Sequence, residues 1–126
     1  MNVSKISYLA LTVLAMHGLA GCAGTAGNPD KVKQLLEAKY LGKDVDTVVI
    51  DLGAPETVTR LDSGRKAYTW KRTSSKYTRN VFIKSDERCV ITMLSDKSGK
   101  HIETVGKVDD SLGAYDFSYC VEQYGL

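Results

Sequence analysis

The order of two periodicities along the chain constrains its fold more than any other feature. Residues 29–52 carry apolar side chains at helical spacing, whereas residues 56–108 carry alternating apolar and polar side chains separated by turn-forming residues. Helices followed by strands are typical of an α+β fold, in which the helices cover one face of an antiparallel sheet. The sequence therefore predicts an α+β domain.

Capping signals predict two helices in the first part. Asn28 followed by Pro29 is typical of a helix start and glycine of a helix end, so the first helix is expected over residues 29–41. Asp44 can cap a second helix, which Gly53 ends. The β-branched valines of this second segment favour a strand as the alternative, but their helical spacing decides for a helix.

The second part predicts a sheet. The expected strands cover residues 56–61, 65–73, 77–84, 88–95 and 100–108, with a turn at 85–87. The segment 88–95 is apolar on both faces and is expected to be central, whereas residues 109–126 fit an extended piece or a helix. Two N-terminal helices packed on an antiparallel sheet of three to five strands would form a two-layer sandwich with one sheet face partly open.

The N-terminal segment has the pattern of an export signal. Lys5 precedes an apolar run of about fifteen residues, short of the roughly 20 that a membrane-spanning helix needs. The run ends in Leu19-Ala20-Gly21-Cys22, which resembles the lipobox of bacterial lipoprotein precursors. The resemblance implies removal of residues 1–21, a lipid on Cys22, a tether over 22–28 and one domain over 29–126. An ordinary secreted protein is the alternative.

The residue after the cysteine bears on location. In Gram-negative lipoproteins, an Asp at this position commonly retains the protein in the inner membrane, whereas this chain has Ala23. The resemblance therefore implies an outer-membrane protein that faces the periplasm. The short tether has an r.m.s. reach of about 13 Å, which keeps the domain close to the membrane surface.

Residues 42–55 resemble the signature of the BamE family, also called SmpA/OmlA. In that family a short capped helix is ended by a Gly-x-Pro element; here Asp44 takes the cap position and Gly53-Ala54-Pro55 the closing element. Tyr68-Thr69-Trp70 falls where these proteins have an aromatic pair on the second strand. The resemblance covers roughly residues 29–73. It implies a small outer-membrane lipoprotein, either an accessory subunit of the barrel-assembly machinery or, with the same architecture, a β-lactamase inhibitor.

Two cysteines remain after Cys22. Cys89 and Cys120 form an even pair in an exported chain, which favours a disulfide. A metal or redox pair is the alternative, but the chain has no Cys-x-x-Cys motif and only one histidine, His101, after the predicted signal.

No residue pattern indicates catalysis. His101 is expected to be exposed beside a turn, and the acidic pairs Asp86-Glu87 and Asp109-Asp110 are expected in turns. We therefore expect no enzyme, no metal site and no cofactor other than the lipid on Cys22.

A cluster of basic and aromatic side chains lies at residues 70–79. Its members are Trp70, Lys71, Arg72, Lys76, Tyr77 and Arg79. Such clusters can bind nucleic acid, which an exported protein is not expected to meet, so anionic lipid headgroups or an acidic protein surface are the better candidates. The alternative is a solvated hairpin end whose lysines protect a sheet edge.

The combined expectation is a non-enzymatic, lipid-anchored scaffold or accessory subunit in outer-membrane or envelope assembly. It would bind a protein complex, with the barrel-assembly machinery as one candidate, through the open sheet face and residues 70–79. An inhibitor of a periplasmic or extracellular hydrolase is the alternative, in which the turn at 62–65 or 96–100 enters an active site. A secretion-system lipoprotein is a weaker alternative.

Overall fold

A computed structural model describes residues 27–78, 83–113 and 118–126, without the side chains of 76–78 and 83–85. Within these residues the elements, in chain order, are α1 (Pro29–Tyr40), α2 (Val45–Leu52), β1 (Thr57–Arg60), β2 (Lys66–Thr78), β3 (Ile83–Ser95), β4 (Ile102–Asp110) and α3 (Tyr119–Tyr124). The four strands form one antiparallel sheet in the order β1-β2-β3-β4. The predicted α+β class is confirmed.

The two N-terminal helices begin and end close to their predicted limits. The side chain of Asn28 accepts a hydrogen bond from Lys31 N at 3.0 Å, which caps α1. Gly53, at φ 86°, ends α2 in a conformation that favours glycine. Asp44 occupies the N-cap position of α2 but makes no side-chain capping bond there. Its carboxylate binds His101 instead.

The core lies between the helices and one face of the sheet. Alternate residues of the inner strands, such as Tyr68, Trp70 and Ile91, are buried on this face. They pack with apolar residues of α1, α2 and α3; the helical members are Val32, Leu36, Tyr40, Val45, Val48, Leu52, Tyr119 and Cys120. Because α1 and α2 are too short to be stable alone, this shared core holds them in place.

The opposite face of the sheet, which we call the outer face, has no helix against it among the described residues. The intervening residues of β2 and β3 are half-buried or exposed; they are Ala67, Thr69, Lys71, Thr73, Arg88, Val90, Thr92 and Leu94. A half-solvated antiparallel sheet has this alternation.

The strand prediction is wrong between residues 74 and 87. Tyr77 pairs with Lys84 in the opposite strand, so residues 77–84 do not form a separate strand. The predicted turn at 85–87 lies inside β3, where Asp86 faces Ser75. Cross-strand pairing therefore outweighs the local turn preference of these polar residues. Residues 79–82 lie outside the described part.

The aromatic C-terminal segment contains a short helix. Ser118 caps α3 by accepting a hydrogen bond from Val121 N at 3.2 Å. A disulfide between Cys89 and Cys120 joins α3 to β3. Of the two conformations left open for this segment, the helix is present over Tyr119–Tyr124, whereas Tyr115 and Phe117 lie outside the described residues.

Candidate binding surface and entry end

The chain enters the domain where β4 ends. Gly27 N donates to the Asp110 carbonyl oxygen at 3.2 Å, and Asn28 N donates to Asp110 Oδ2 at 3.0 Å. The other carboxylate oxygen, Oδ1, accepts from Cys120 N at 2.9 Å. Asp110 is only 6% exposed, so three backbone segments meet at one buried carboxylate. We call this end of the sheet the entry end.

The disulfide lies at the same end. Cys89 pairs with Asp110 across β3 and β4, and both cysteines are fully buried, with their Cα atoms 5.0 Å apart. The predicted disulfide is thus present. The expectation that Asp109 and Asp110 lie in a turn is wrong, because both residues belong to β4.

Trp70 is a core residue. Its side chain is 1% exposed, and Nε1 donates a 2.8 Å hydrogen bond to the Gly53 carbonyl oxygen. The ring also stacks near that of Tyr68, with centroids 6.2 Å apart. The prediction that Trp70 contacts a partner is therefore wrong. The strict alternation of Tyr68 and Trp70 on one strand face was the signal for burial.

The other members of the predicted cluster separate onto two faces. Lys71 is exposed on the outer face and makes no ion pair among the described residues. Arg72 points to the opposite face, where its guanidinium lies 5.8 Å from the ring centre of Tyr124. Burial raises the pKa of Tyr124, and the nearby Arg72 partly opposes this shift. Lys76 and Tyr77 belong to β2 without described side chains, and Arg79 lies outside the described residues.

The paired strands β2 and β3 continue past their neighbours at the entry end. β1 pairs with β2 no further than Thr69, and β4 pairs with β3 no further than Cys89. Residues 74–78 and 83–87 therefore form a two-stranded extension, which we call the arm. At its base, a polar groove of about 450 Å³ is lined by residues including Lys71, Asp86 and Arg88.

The groove at the arm base is lined by both basic and acidic side chains. Arg88 Nη2 lies 2.9 Å from Asp109 Oδ2, and the Ser75 hydroxyl donates to Asp86 Oδ1 at 2.7 Å. The acidic pair predicted in a turn, Asp86 and Glu87, thus belongs to β3, with Glu87 buried at 6% exposure. Both acidic residues are engaged with neighbouring groups.

His101 joins two carboxylates at the opposite end of the sheet, which we call the turn end. Its Nε2 lies 3.1 Å from Asp44 Oδ1 and its Nδ1 lies 3.2 Å from Asp96 Oδ2. The side chain is 49% exposed, which agrees with the predicted exposure. It nevertheless links the start of α2 to the β3–β4 turn. Because the two ring nitrogens face different carboxylates, these three groups do not converge on one point. No cluster of metal-binding type occurs among the described residues.

Asp96 organises the β3–β4 turn. Its Oδ1 accepts hydrogen bonds from the Ser98 hydroxyl at 2.7 Å and from Lys100 N at 3.1 Å. These bonds, first that of Ser98, hold the pKa of Asp96 well below its usual range, with desolvation in partial opposition. The Asp-x-Ser spacing of a side-chain-closed turn was the sequence signal for this cluster.

The β1–β2 turn lies beside the β3–β4 turn. A Cβ atom placed on Gly64 would lie 3.9 Å from the Lys97 carbonyl oxygen, and one on Gly99 would lie 3.4 Å from Lys66 Cε. The turn end therefore presents two adjacent turns at the far side of the sheet from the chain entry.

No protein-family model, curated protein or solved structure matches the chain. Within the described ranges, no helix is both long and apolar enough to span a bilayer. The geometry alone offers an open outer face, an arm at the entry end and two ordered turns at the opposite end.

Proposed function

We propose that the chain is a lipid-anchored envelope protein that acts by protein binding, as a scaffold or accessory subunit in outer-membrane assembly. The observation that carries this proposal is the outer face, on which β2 and β3 expose alternate side chains while helices pack on the other side. The lipobox-like Leu19-Ala20-Gly21-Cys22 supports the anchor. The partner we propose is an envelope protein complex, with the barrel-assembly machinery as the first candidate.

The size of the outer face explains why an anchor would help. Four strands about 4.8 Å apart make the face about 19 Å wide. Strands of roughly eight residues, at about 3.3 Å per residue, make it about 26 Å long, so its area is about 500 Å². A stable complex buries about 800 Å² on each partner. Attachment to the same membrane raises the effective concentration of the partner and compensates for a small interface.

The BamE-like architecture is part of this proposal. Two helices precede the sheet, and Gly53-Ala54-Pro55 leads from α2 into β1, as the resemblance implies. The disulfide, the arm and α3 are additions that the resemblance does not account for. They are the features we expect to distinguish the partner of this chain.

Affinity capture from detergent-solubilised envelopes tests the proposal. Thr92 lies at the centre of the outer face, 3.3 Å from the Thr69 hydroxyl, and Thr92→Arg places a bulky charge there without touching the core. The matched control is Ile50→Lys on α2, where the side chain is 82% exposed. We expect the wild type and Ile50→Lys to recover envelope-assembly subunits, and Thr92→Arg and Cys22→Ser to recover far less. Equal recovery with Thr92→Arg would remove the outer face from the proposal.

The hydrolase inhibitor is the second candidate, because the β3–β4 turn is internally ordered. A turn held by the bonds of Asp96 loses little conformational freedom on entering an active site. Soluble one-to-one binding of a hydrolase, retained with Cys22→Ser and weakened by Ser98→Ala, would favour this function. No described feature favours a secretion-system role.

A further inference from the structure

The arm and the chain entry share one end of the domain. Gly27 is fixed to the Asp110 carbonyl at the end of β4, and Cys89, the last β3 residue paired with β4, stands opposite Asp110. Arg88 still bonds Ser111, which follows β4. Beyond Arg88, β3 pairs with β2 alone as far as the pair of Ile83 and Thr78. The arm therefore extends from the same end at which the tether arrives.

The lengths of the arm and the tether are similar. Five residue steps separate Arg88 from Ile83, so the arm is about 17 Å long at about 3.3 Å per residue. Five residue steps also separate Gly27 from Cys22. These can span at most about 17 Å when fully extended, and about 12 Å on r.m.s. average for a flexible chain. An arm directed towards the membrane therefore reaches the level of the anchor.

The charge of the arm and its base suits an anionic surface. Residues 71–78 and 83–88 contain five basic residues, Lys71, Arg72, Lys76, Lys84 and Arg88, against Asp86 and Glu87. The whole chain of 126 residues has a net charge of only +2. These two ranges thus carry a net charge of +3, most of it from the arm base. Arg88 is paired with Asp109 and Arg72 lies against Tyr124, so the inference rests on the three lysines, Lys71, Lys76 and Lys84.

We propose that the arm lies against the membrane that holds the Cys22 lipid and contacts anionic lipid headgroups with its basic side chains. This inference rests on the proposed anchor. The outer face continues onto the arm, so the membrane contact fixes the direction in which the rest of the outer face is presented. An acidic protein is the competing occupant, but the length of the tether favours the bilayer, which the arm meets whether or not a protein partner is present.

Site-specific fluorescence on the lipidated protein tests the inference. Because Cys89 and Cys120 form a disulfide and Cys22 is expected to be acylated, one added cysteine provides the only free thiol for a label. The labelled positions are Thr78→Cys at the far end of the arm and, as the matched control, Ser63→Cys in the exposed β1–β2 turn at the turn end. The protein is reconstituted in vesicles that contain phosphatidylglycerol and headgroup-quencher lipids. Unchanged urea-unfolding midpoints show that both variants fold.

We expect at least threefold stronger quenching at position 78 than at position 63. Lys71→Ser combined with Lys76→Ser should reduce quenching at position 78 at least twofold, as should replacement of phosphatidylglycerol by phosphatidylcholine. Equal quenching at the two positions, or quenching unaffected by both changes, overturns the inference. Cross-linking of the arm to an acidic envelope protein without lipid quenching would also overturn it.

Mass spectrometry of the same sample separates this inference from the anchor on which it rests. If Cys22 carries lipid and position 78 is not quenched, the arm contact fails while the anchor stands. If Cys22 carries no lipid, both fail.

Discussion

The indole Nε1 of Trp70 donates a 2.8 Å hydrogen bond to the carbonyl oxygen of Gly53, which joins the buried face of the sheet to the end of α2. The bond lies at the closing element that leads into β1. It explains how an eight-residue helix keeps a fixed position on the sheet.

Trp70→Phe should lower the free energy of unfolding by about 2 kcal/mol, because it removes this bond from a buried site and leaves unfilled volume. Urea unfolding of the purified protein measures the change. Ile50→Ala, at an exposed position of α2, is the control and should shift stability by less than about 0.5 kcal/mol. Equal midpoints for the wild type and Trp70→Phe would contradict the role of the bond.

Asp110→Asn should destabilise the domain by about 2 kcal/mol. The aspartate accepts backbone hydrogen bonds on both carboxylate oxygens, whereas asparagine has one acceptor and turns a donor towards the other N–H. Hydrogen exchange should therefore quicken at Asn28 or Cys120. Asp62→Asn in the exposed β1–β2 turn is the control, and loss of equal size in both variants would speak against a specific role for Asp110.

Reduction of the disulfide should lower the free energy of unfolding by about 3 to 4 kcal/mol, the chain-entropy estimate for a loop of this length. The sequence separation of the cysteines is 31 residues. Urea midpoints with and without dithiothreitol measure the effect. Two reactive thiols in the unreduced, folded domain would rule out this bridge.

Asp96 should make the free energy of unfolding decrease at acidic pH. Its pKa is lower in the folded chain, mainly through the Ser98 hydroxyl, so the group stabilises the fold above its unfolded pKa of about 3.9. This contribution is lost as the pH falls through the folded value. The wild type should therefore be more stable than Asp96→Asn at pH 6, and the difference should shrink below about pH 4. A constant difference in urea midpoint between pH 6 and pH 2.5 would contradict this expectation.

The elements that short sequence patterns mark could be predicted from the sequence. The start of α1 is set by Asn28 and Pro29, and the end of α2 by Gly53. These residues act through hydrogen bonds and backbone angles within a few positions of themselves. The alternation of β4 and the even pair of cysteines carried similar information. Such local features need no knowledge of the rest of the chain.

The arm and the entry end depend on pairing between distant residues. Asp86 is typical of a turn, yet it faces Ser75 in a long strand pair, which no local pattern predicts. The local sequence around Asp110 is typical of an exposed acidic turn. The side chain is nevertheless buried, because the backbone N–H groups of residues 28 and 120 donate hydrogen bonds to it. Trp70 is buried together with Tyr68, and their alternation on one strand face predicts burial better than aromatic character predicts a binding role.

The position of α1 sets how the domain resists mechanical load. The helix spans β4 from Asp110, which binds Asn28, to Ile102, whose carbonyl accepts from Gly42 N. Because the first element after the tether is this helix and not an edge strand, a pull on the N-terminus cannot unzip the sheet bond by bond. It must shear Val32, Leu36 and Tyr40 out of the core together. In the proposed anchored state, tension between the membrane and a partner would therefore act on a broad packed surface.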